Sequence, residues 1–231
     1  MKFRELMDIH IETMFTINRS NDLCNINRTW DKTQPAPHFF LGITEDMDII
    51  YRFRYDVTQF IRDKTINDII KNINYATTVI NMDYIHKLLT LYDSKEYVSD
   101  ICFYIPKPSS LNNNCVMFNE KYSKLLSNDE INNILDDYLS NQPCAVLIYQ
   151  NEIVSVCQSV RKSNKAHEAG IDTLESYRGN GYAGKVLSYW ASKVYEAGCL
   201  PLYTVSTNNN ISKLVAERAG LILYGNSLYI Y

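Results

Sequence analysis

The sequence predicts an α/β protein built on a mixed sheet, and three observations predict it. Short runs rich in β-branched and aromatic residues, bounded by turn residues, alternate with amphipathic stretches of helical period. The last third passes from a tight hairpin into a strand–helix–strand–helix–strand series. The chain of 231 residues is 46% apolar and 12% aromatic, enough to bury one large core or two small ones.

Each element follows from its pattern. Phe3, Leu6, Met7, His10, Ile11 and Met14 recur at spacings of three and four, which predicts a helix over residues 3–17 that ends near Asn18. A polar loop and the Pro35-Ala36-Pro37 punctuation follow, then strands over 39–43 and 49–54 joined by the turn-like Glu45-Asp46-Met47-Asp48. From Asp56, a candidate cap, the residues Val57, Phe60, Ile61, Ile66, Ile69 and Ile70 share a helical face. A further helix is expected over 82–92 and a strand over 98–105, stopped by Pro106 and Pro108. Residues 107–114, with Pro108, two serines and three consecutive asparagines, read as a linker or surface excursion. That reading divides the chain into an N-terminal α/β region over 1–110 and a C-terminal unit over 111–231. In the latter a helix is expected over 129–139, strands over 144–149 and 153–160 about a Gln150-Asn151-Glu152 turn, and a strand over 166–174. A helix over 181–197, a strand over 202–206, a helix over 210–219 and one or two strands over 221–230 complete it.

Composition excludes several function classes. Lysine and arginine number 23 against 26 acidic residues, so no strongly basic surface is implied and nucleic acid is not an expected partner. The six cysteines are too scattered for a zinc ribbon or redox pair, so no metal site is expected and a reducing cytoplasm fits. The first twenty residues carry charges throughout, unlike a signal peptide, and no apolar run reaches the ~20 residues of a membrane span. A monomer or homodimer without a membrane partner is expected.

The chemistry is concentrated in Asp172-Thr173-Leu174-Glu175-Ser176-Tyr177-Arg178-Gly179-Asn180-Gly181-Tyr182-Ala183, a strand-to-helix turn with two glycines. Such a turn presents consecutive unpaired N–H groups at a helix amino terminus, where the helix dipole favours a phosphate. Glycines 179 and 181 let the backbone turn and approach a ligand without a β-carbon in the way. The turn is not a Walker loop, since Gly-Lys-Ser/Thr is missing, nor a dinucleotide fingerprint, since the third glycine and the later acid are missing. Taken singly, Arg178 is a surface charge and the glycines an ordinary loop.

Arg178-x-x-Gly181-x-Ala183 resembles the Arg/Gln-x-x-Gly-x-Gly/Ala signature of the GNAT acetyltransferase superfamily. The residues 201–212, with Asn209 and Ser212 at the helix start, and Val215-Ala216-Glu217-Arg218-Ala219-Gly220-Leu221 resemble that family's next strand and closing helix. The resemblance implies a GNAT acyl-CoA N-acyltransferase fold at the C-terminus, with an additional α/β N-terminal half that is a substrate-site region or a degenerate GNAT-like copy. It implies acetyl-CoA as cofactor, a pantetheine arm between two splayed strands, and transfer of acetyl to an amine. Carried over, Ile171, Thr173 and Leu174 offer backbone groups to the arm. Arg178, Gly179, Asn180, Gly181, Tyr182 and Ala183 hold the pyrophosphate, and Asn209 with Ser212 contacts the far end. Asn209 is equally a helix cap, and Tyr182, Tyr189, Trp190 and Tyr195 are expected to pack.

Amine acetylation needs a base, a donor for the departing thiolate and N–H groups for the oxyanion, the last expected near Thr173. Glu168 is the candidate base, with His167 second; alternate strand residues face opposite ways, so one of the two must point away. The family often places a tyrosine acid seven positions after the matched asparagine, where this chain has Ala216. Three routes stay open: Tyr203 or Tyr224 does the work, the thiolate leaves unassisted, or the chain binds coenzyme A as a non-catalytic sensor or regulator. The acidic balance favours a small-molecule amine acceptor, such as an amino sugar, polyamine, amino acid or amine-bearing antibiotic.

Overall fold

The computed structural model describes residues 1–72, 77–125, 131, 133, 135 and 137–231. In chain order the elements are α1 (Phe3–Met14), β1 (Phe15–Ile17), β2 (Leu23–Ile26), β3 (Phe39–Thr44), β4 (Ile49–Phe53), α2 (Gln59–Asn72), α3 (Met82–Leu91), β5 (Tyr97–Tyr104) and β6 (Cys115–Met117). They continue with β7 (Cys144–Tyr149), β8 (Glu152–Lys162), β9 (Ala166–Thr173), α4 (Tyr182–Glu196), β10 (Leu200–Ser206), α5 (Asn210–Arg218) and β11 (Ile222–Ile230). The mixed α/β architecture predicted from the sequence is the one present. Of the helix predicted over 129–139, residues 129, 130, 132, 134 and 136 lie outside the described residues.

Among the described residues, nine strands form one sheet in the order β4-β3-β11-β5-β10-β9-β8-β7-β6. Strand β5 lies between β10 and β11, so the sheet is continuous across residue 110. β9 and β10 run parallel, whereas the other strand pairings of this sheet among the described residues are antiparallel. A parallel pair needs a crossover, and α4 supplies it.

Alternation along the strands separates two faces. Leu202, Cys102 and Ala166 belong to a core under α1 with Leu6, Met7, Ile11 and Tyr224. Their strand neighbours Tyr203, Phe103 and Ala169 belong to a core under α4 with Val186, Leu187, Trp190 and Val194. Those four α4 residues recur at helical spacing and are fully buried, which is why α4 docks across the sheet.

Three local expectations need correction. The first helix stops at Met14, because Phe15-Thr16-Ile17 is a β-branched and aromatic run that pairs with β2. Asp56 does not cap α2; its carboxylate accepts from Arg54 Nε at 2.8 Å and Nη2 at 3.0 Å, and the helix starts at Gln59. Phe60 and Ile70 of that helix are solvent-exposed, so its apolar face is narrower than the pattern suggested. Of the one or two strands expected over 221–230, one is present, β11, with a register shift between Leu223 and Gly225. Among the described residues no helix is long and apolar enough to cross a membrane.

Candidate functional site

The parallel pairing of β9 with β10 is short. It runs from Ala166 opposite Leu200 to Glu168 opposite Leu202 and then stops. Beyond that point Ile171, Asp172 and Thr173 pair with β8 on the far side, and Thr204, Val205 and Ser206 pair with β5 on theirs. Each strand is held from outside while the facing edges part, which leaves a wedge-shaped gap in the sheet.

The gap opens towards the glycine turn. A short 3-10 turn, Glu175–Tyr177, leads through Arg178 to Gly179 (φ 82°) and Gly181 (φ 74°), both in the left-handed region that glycine adopts without steric penalty. Gly181 is the N-cap of α4, and no side chain caps the helix. The first-turn N–H groups therefore keep their donors for a ligand, at the positive end of the helix dipole. A β-carbon on Gly179 or Gly181 would meet nothing within 4 Å, so the space above the turn is open.

The turn is braced from below. Arg178 Nε donates to the Thr173 carbonyl at 3.1 Å, and the Asn180 amide donates to the carbonyls of Tyr177 at 3.0 Å and Arg178 at 3.3 Å. The Tyr177 hydroxyl donates to Glu152 Oε2 at 2.6 Å, and the rings of Tyr149, Tyr177 and Tyr182 pack against one another.

Gap and turn share one cleft of about 830 Å³. Of the residues singled out from sequence, Ile171, Thr173, Arg178, Gly179, Gly181, Tyr182, Ala183, Asn209 and Ser212 line it. Leu174 and Asn180 do not. The Leu174 side chain is buried, its N–H donates to Val154 O and its carbonyl accepts from Tyr177 N, so its backbone groups are already used. Asn180 acts as a stitch within the turn. Asn209 caps α5, its side chain accepting from Ser212 N at 3.0 Å.

Several lining residues were not anticipated. Lys185 and Arg218 join Arg178 as cations on the cleft wall, against the carboxylate of Asp172. Ser110, Leu111 and Asn112 close one side, coming from the stretch that reads as a linker in the sequence. Nothing in their composition marks them as cleft residues; they arrive there because the chain must pass from β5 to β6 at the sheet edge.

Glu168 lies where the two strands separate, beneath the cleft and not on its wall, and is only 1% exposed. The Thr204 N–H and hydroxyl both donate to its Oε1, each at 2.6 Å, and its Oε2 has no partner among the described residues. Burial pushes its carboxyl up to about 7, against the hydrogen bonds from Thr204 and the charge of Arg161. A register shift between Ser159 and Arg161 sets Arg161 directly opposite Glu168. Asp100 of β5 is also buried nearby, its carboxyl raised by burial to about 6. An isolated charge inside the apolar run 98–105 was the available signal for Asp100.

His167 faces the other way. Its Nδ1 lies 2.9 Å from Ser159 Oγ, which also accepts from Trp190 Nε1 at 3.2 Å, and burial lowers the imidazole to about 4, so it is neutral packing under α4. Of the two tyrosines considered as acids, Tyr203 lines the cleft, with burial raising its phenol and Ser212 beside it. Tyr224 is fully buried under α1 and bonded to His10 Nδ1 at 2.8 Å. Ala216 is buried in the core under α4.

A family model described as GNAT acetyltransferase matches residues 55–226, well over half the chain and reaching into its first half. No curated protein matches. Similar solved structures include an acetyltransferase from the GNAT family from Colwellia psychrerythraea, at 10% identity and TM-score 0.48, covering 82% of this chain and 80% of that one. A GNAT-family protein from Novosphingobium aromaticivorans shows 13% identity and TM-score 0.46 over 58% of this chain. This chain covers 64% of that protein's length, under two thirds. A GCN5-related N-acetyltransferase-like protein from Streptococcus suis shows 16% identity and TM-score 0.45, covering 64% and 68%.

Proposed function

The chain belongs to the GNAT acetyltransferase family, and from that premise we propose that it is an acetyl-CoA-dependent N-acetyltransferase acting on the primary amine of a small molecule. One observation carries this reading: a parted strand pair and an uncapped helix amino terminus open into the same cleft. The site fits the coenzyme. A diphosphate needs several donors and compensating positive charge, and the α4 N–H groups with Arg178, Lys185 and Arg218 offer both. The gap offers the narrow slot that an apolar arm needs.

When bound, the coenzyme supplies an activated acetyl thioester. The chain's own residues then divide the remaining work. The N–H groups of the turn fix the phosphates, and Asn209 and Ser212 flank the other wall. Glu168, at the apex of the gap with a carboxyl raised by burial to about 7, is the base in this reading; because it lies beneath the cleft wall, the proton of an incoming ammonium would reach it through water. Tyr203, kept protonated by burial and lining the cleft, would be the proton donor to a departing thiolate, in place of a tyrosine at position 216, where this chain has alanine.

Thiol release from acetyl-CoA, followed over a panel of amino sugars, polyamines, amino acids and aminoglycoside-like amines, tests the reading. Turnover with at least one amine is expected. Tight acetyl-CoA binding with no turnover on any of them would favour an acyl-CoA sensor, and no binding would remove both readings.

A further inference from the structure

We propose that Thr204 is a positioning residue: it clamps Glu168 by Oε1 and so leaves Oε2 as the one oxygen able to accept a proton. The inference rests on the reading of Glu168 as the base and extends it to the group that sets how that base behaves.

The geometry is specific. Thr204 lies two residues past Leu202, the last β10 residue in register with β9. Its N–H points to where a continuing parallel strand would place a carbonyl, and the Glu168 carboxylate accepts there at 2.6 Å. The Thr204 hydroxyl donates to the same oxygen, also at 2.6 Å. An ionised carboxylate oxygen with two short donors is satisfied, and a proton placed on it would meet a donor from each of them. Oε2 is buried and has no partner among the described residues, so it takes the proton. The same contact ends the β-ladder, since a side chain in the acceptor position leaves β9 and β10 unpaired beyond it.

The other groups around Glu168 are placed differently. Arg161 of β8 lies across from it and favours its ionised form, while Asp100 of β5 opposes that form. Cys102 of β5, Cys157 of β8, Tyr203 of β10 and Tyr224 of β11 feel the same carboxylate, and each is held neutral by burial. On α1, His10 is also neutral, lowered by burial to about 3. The hydrogen bonds to the carboxylate come from Thr204.

Thr204→Val keeps the β-branched shape and the backbone N–H but removes the hydroxyl, and Thr204→Ser restores it. Loss of a charge-assisted donor raises the carboxyl by about one pH unit, so the acidic limb of kcat/KM moves up by that amount. A limb moved from about 7 to about 8 lowers the rate roughly fivefold at pH 7 and by little at pH 9. Thr204→Ser should return the limb to its original position, and coenzyme A affinity should hold in both variants. The Glu168 carboxyl, followed by carbon-13 NMR, should titrate higher in Thr204→Val by the same amount. An unmoved carboxyl titration in folded Thr204→Val overturns the clamp. Glu168→Gln separates the two claims: if it keeps the acidic limb, Glu168 is not the base, and the NMR titration still decides whether Thr204 holds its carboxylate.

Discussion

Replacing Gly181 by glutamate places a carboxylate at the mouth of the α4 amino terminus. The effect divides into two parts of different size. A β-carbon there meets nothing within 4 Å, so packing does not resist the change. The backbone does, because φ is 74° and a non-glycine residue in that region costs about 1–2 kcal/mol, of which an acidic group at a helix amino terminus returns roughly 0.3–1. The folded protein therefore survives with a modest loss. Binding fares worse: a unit charge held at roughly 5 Å from a phosphate charge opposes it by about 3 kcal/mol at an effective dielectric of about 20. That is on the order of a hundredfold in affinity. Gly181→Ala shares the backbone cost without the charge, so the difference between the two variants isolates electrostatics at the turn. Isothermal calorimetry with coenzyme A reads the affinities and a circular-dichroism melt reads the folding. If Gly181→Glu melts with Gly181→Ala and binds coenzyme A equally well, the phosphates do not sit at this turn.

Glu168→Gln should abolish the rise of kcat/KM with pH through about 7 while sparing coenzyme A affinity, because the base acts only when ionised. The same variant has a stability signature. A carboxyl raised from 4.5 to about 7 makes its contribution in full below pH 4.5 and loses it as pH rises through 7, so Glu168→Gln should gain on the native protein in melting temperature at pH 8 and not at pH 5. Tyr203→Phe should lower kcat by about 10- to 100-fold with little change in coenzyme A affinity, read by steady-state kinetics. Trp190→Ala should destabilise by about 3–5 kcal/mol in urea titration, since the ring is fully buried and its N–H donates to Pro143 O and Ser159 Oγ.

What could be read in the sequence was local. The glycine turn, the hairpin around Gln150 and Asn151, both of which take positive φ, and the capping of α5 by Asn209 depend on residues close together in the chain. The site beneath the turn depends on distant ones. Glu168 was legible as a carboxylate on the right strand, but its partners Thr204 and Asp100 come from β10 and β5, and only strand order brings them near. The insertion of β5 between β10 and β11 leaves no periodic signal, since an alternating strand reads the same whichever neighbour it pairs with. Phe60 and Ile70 misled for a related reason: period locates a helical face but not whether anything covers it. Leu111 reads as part of a polar surface loop and nevertheless lines the cleft.

Backbone amide shifts in nitrogen-15-labelled protein, followed while coenzyme A is added, ask the central question residue by residue. Saturable movement concentrated at residues 179–184, with α2 and α3 silent, is the predicted result. Saturation of the protein with those six amides unmoved would show that the diphosphate binds elsewhere.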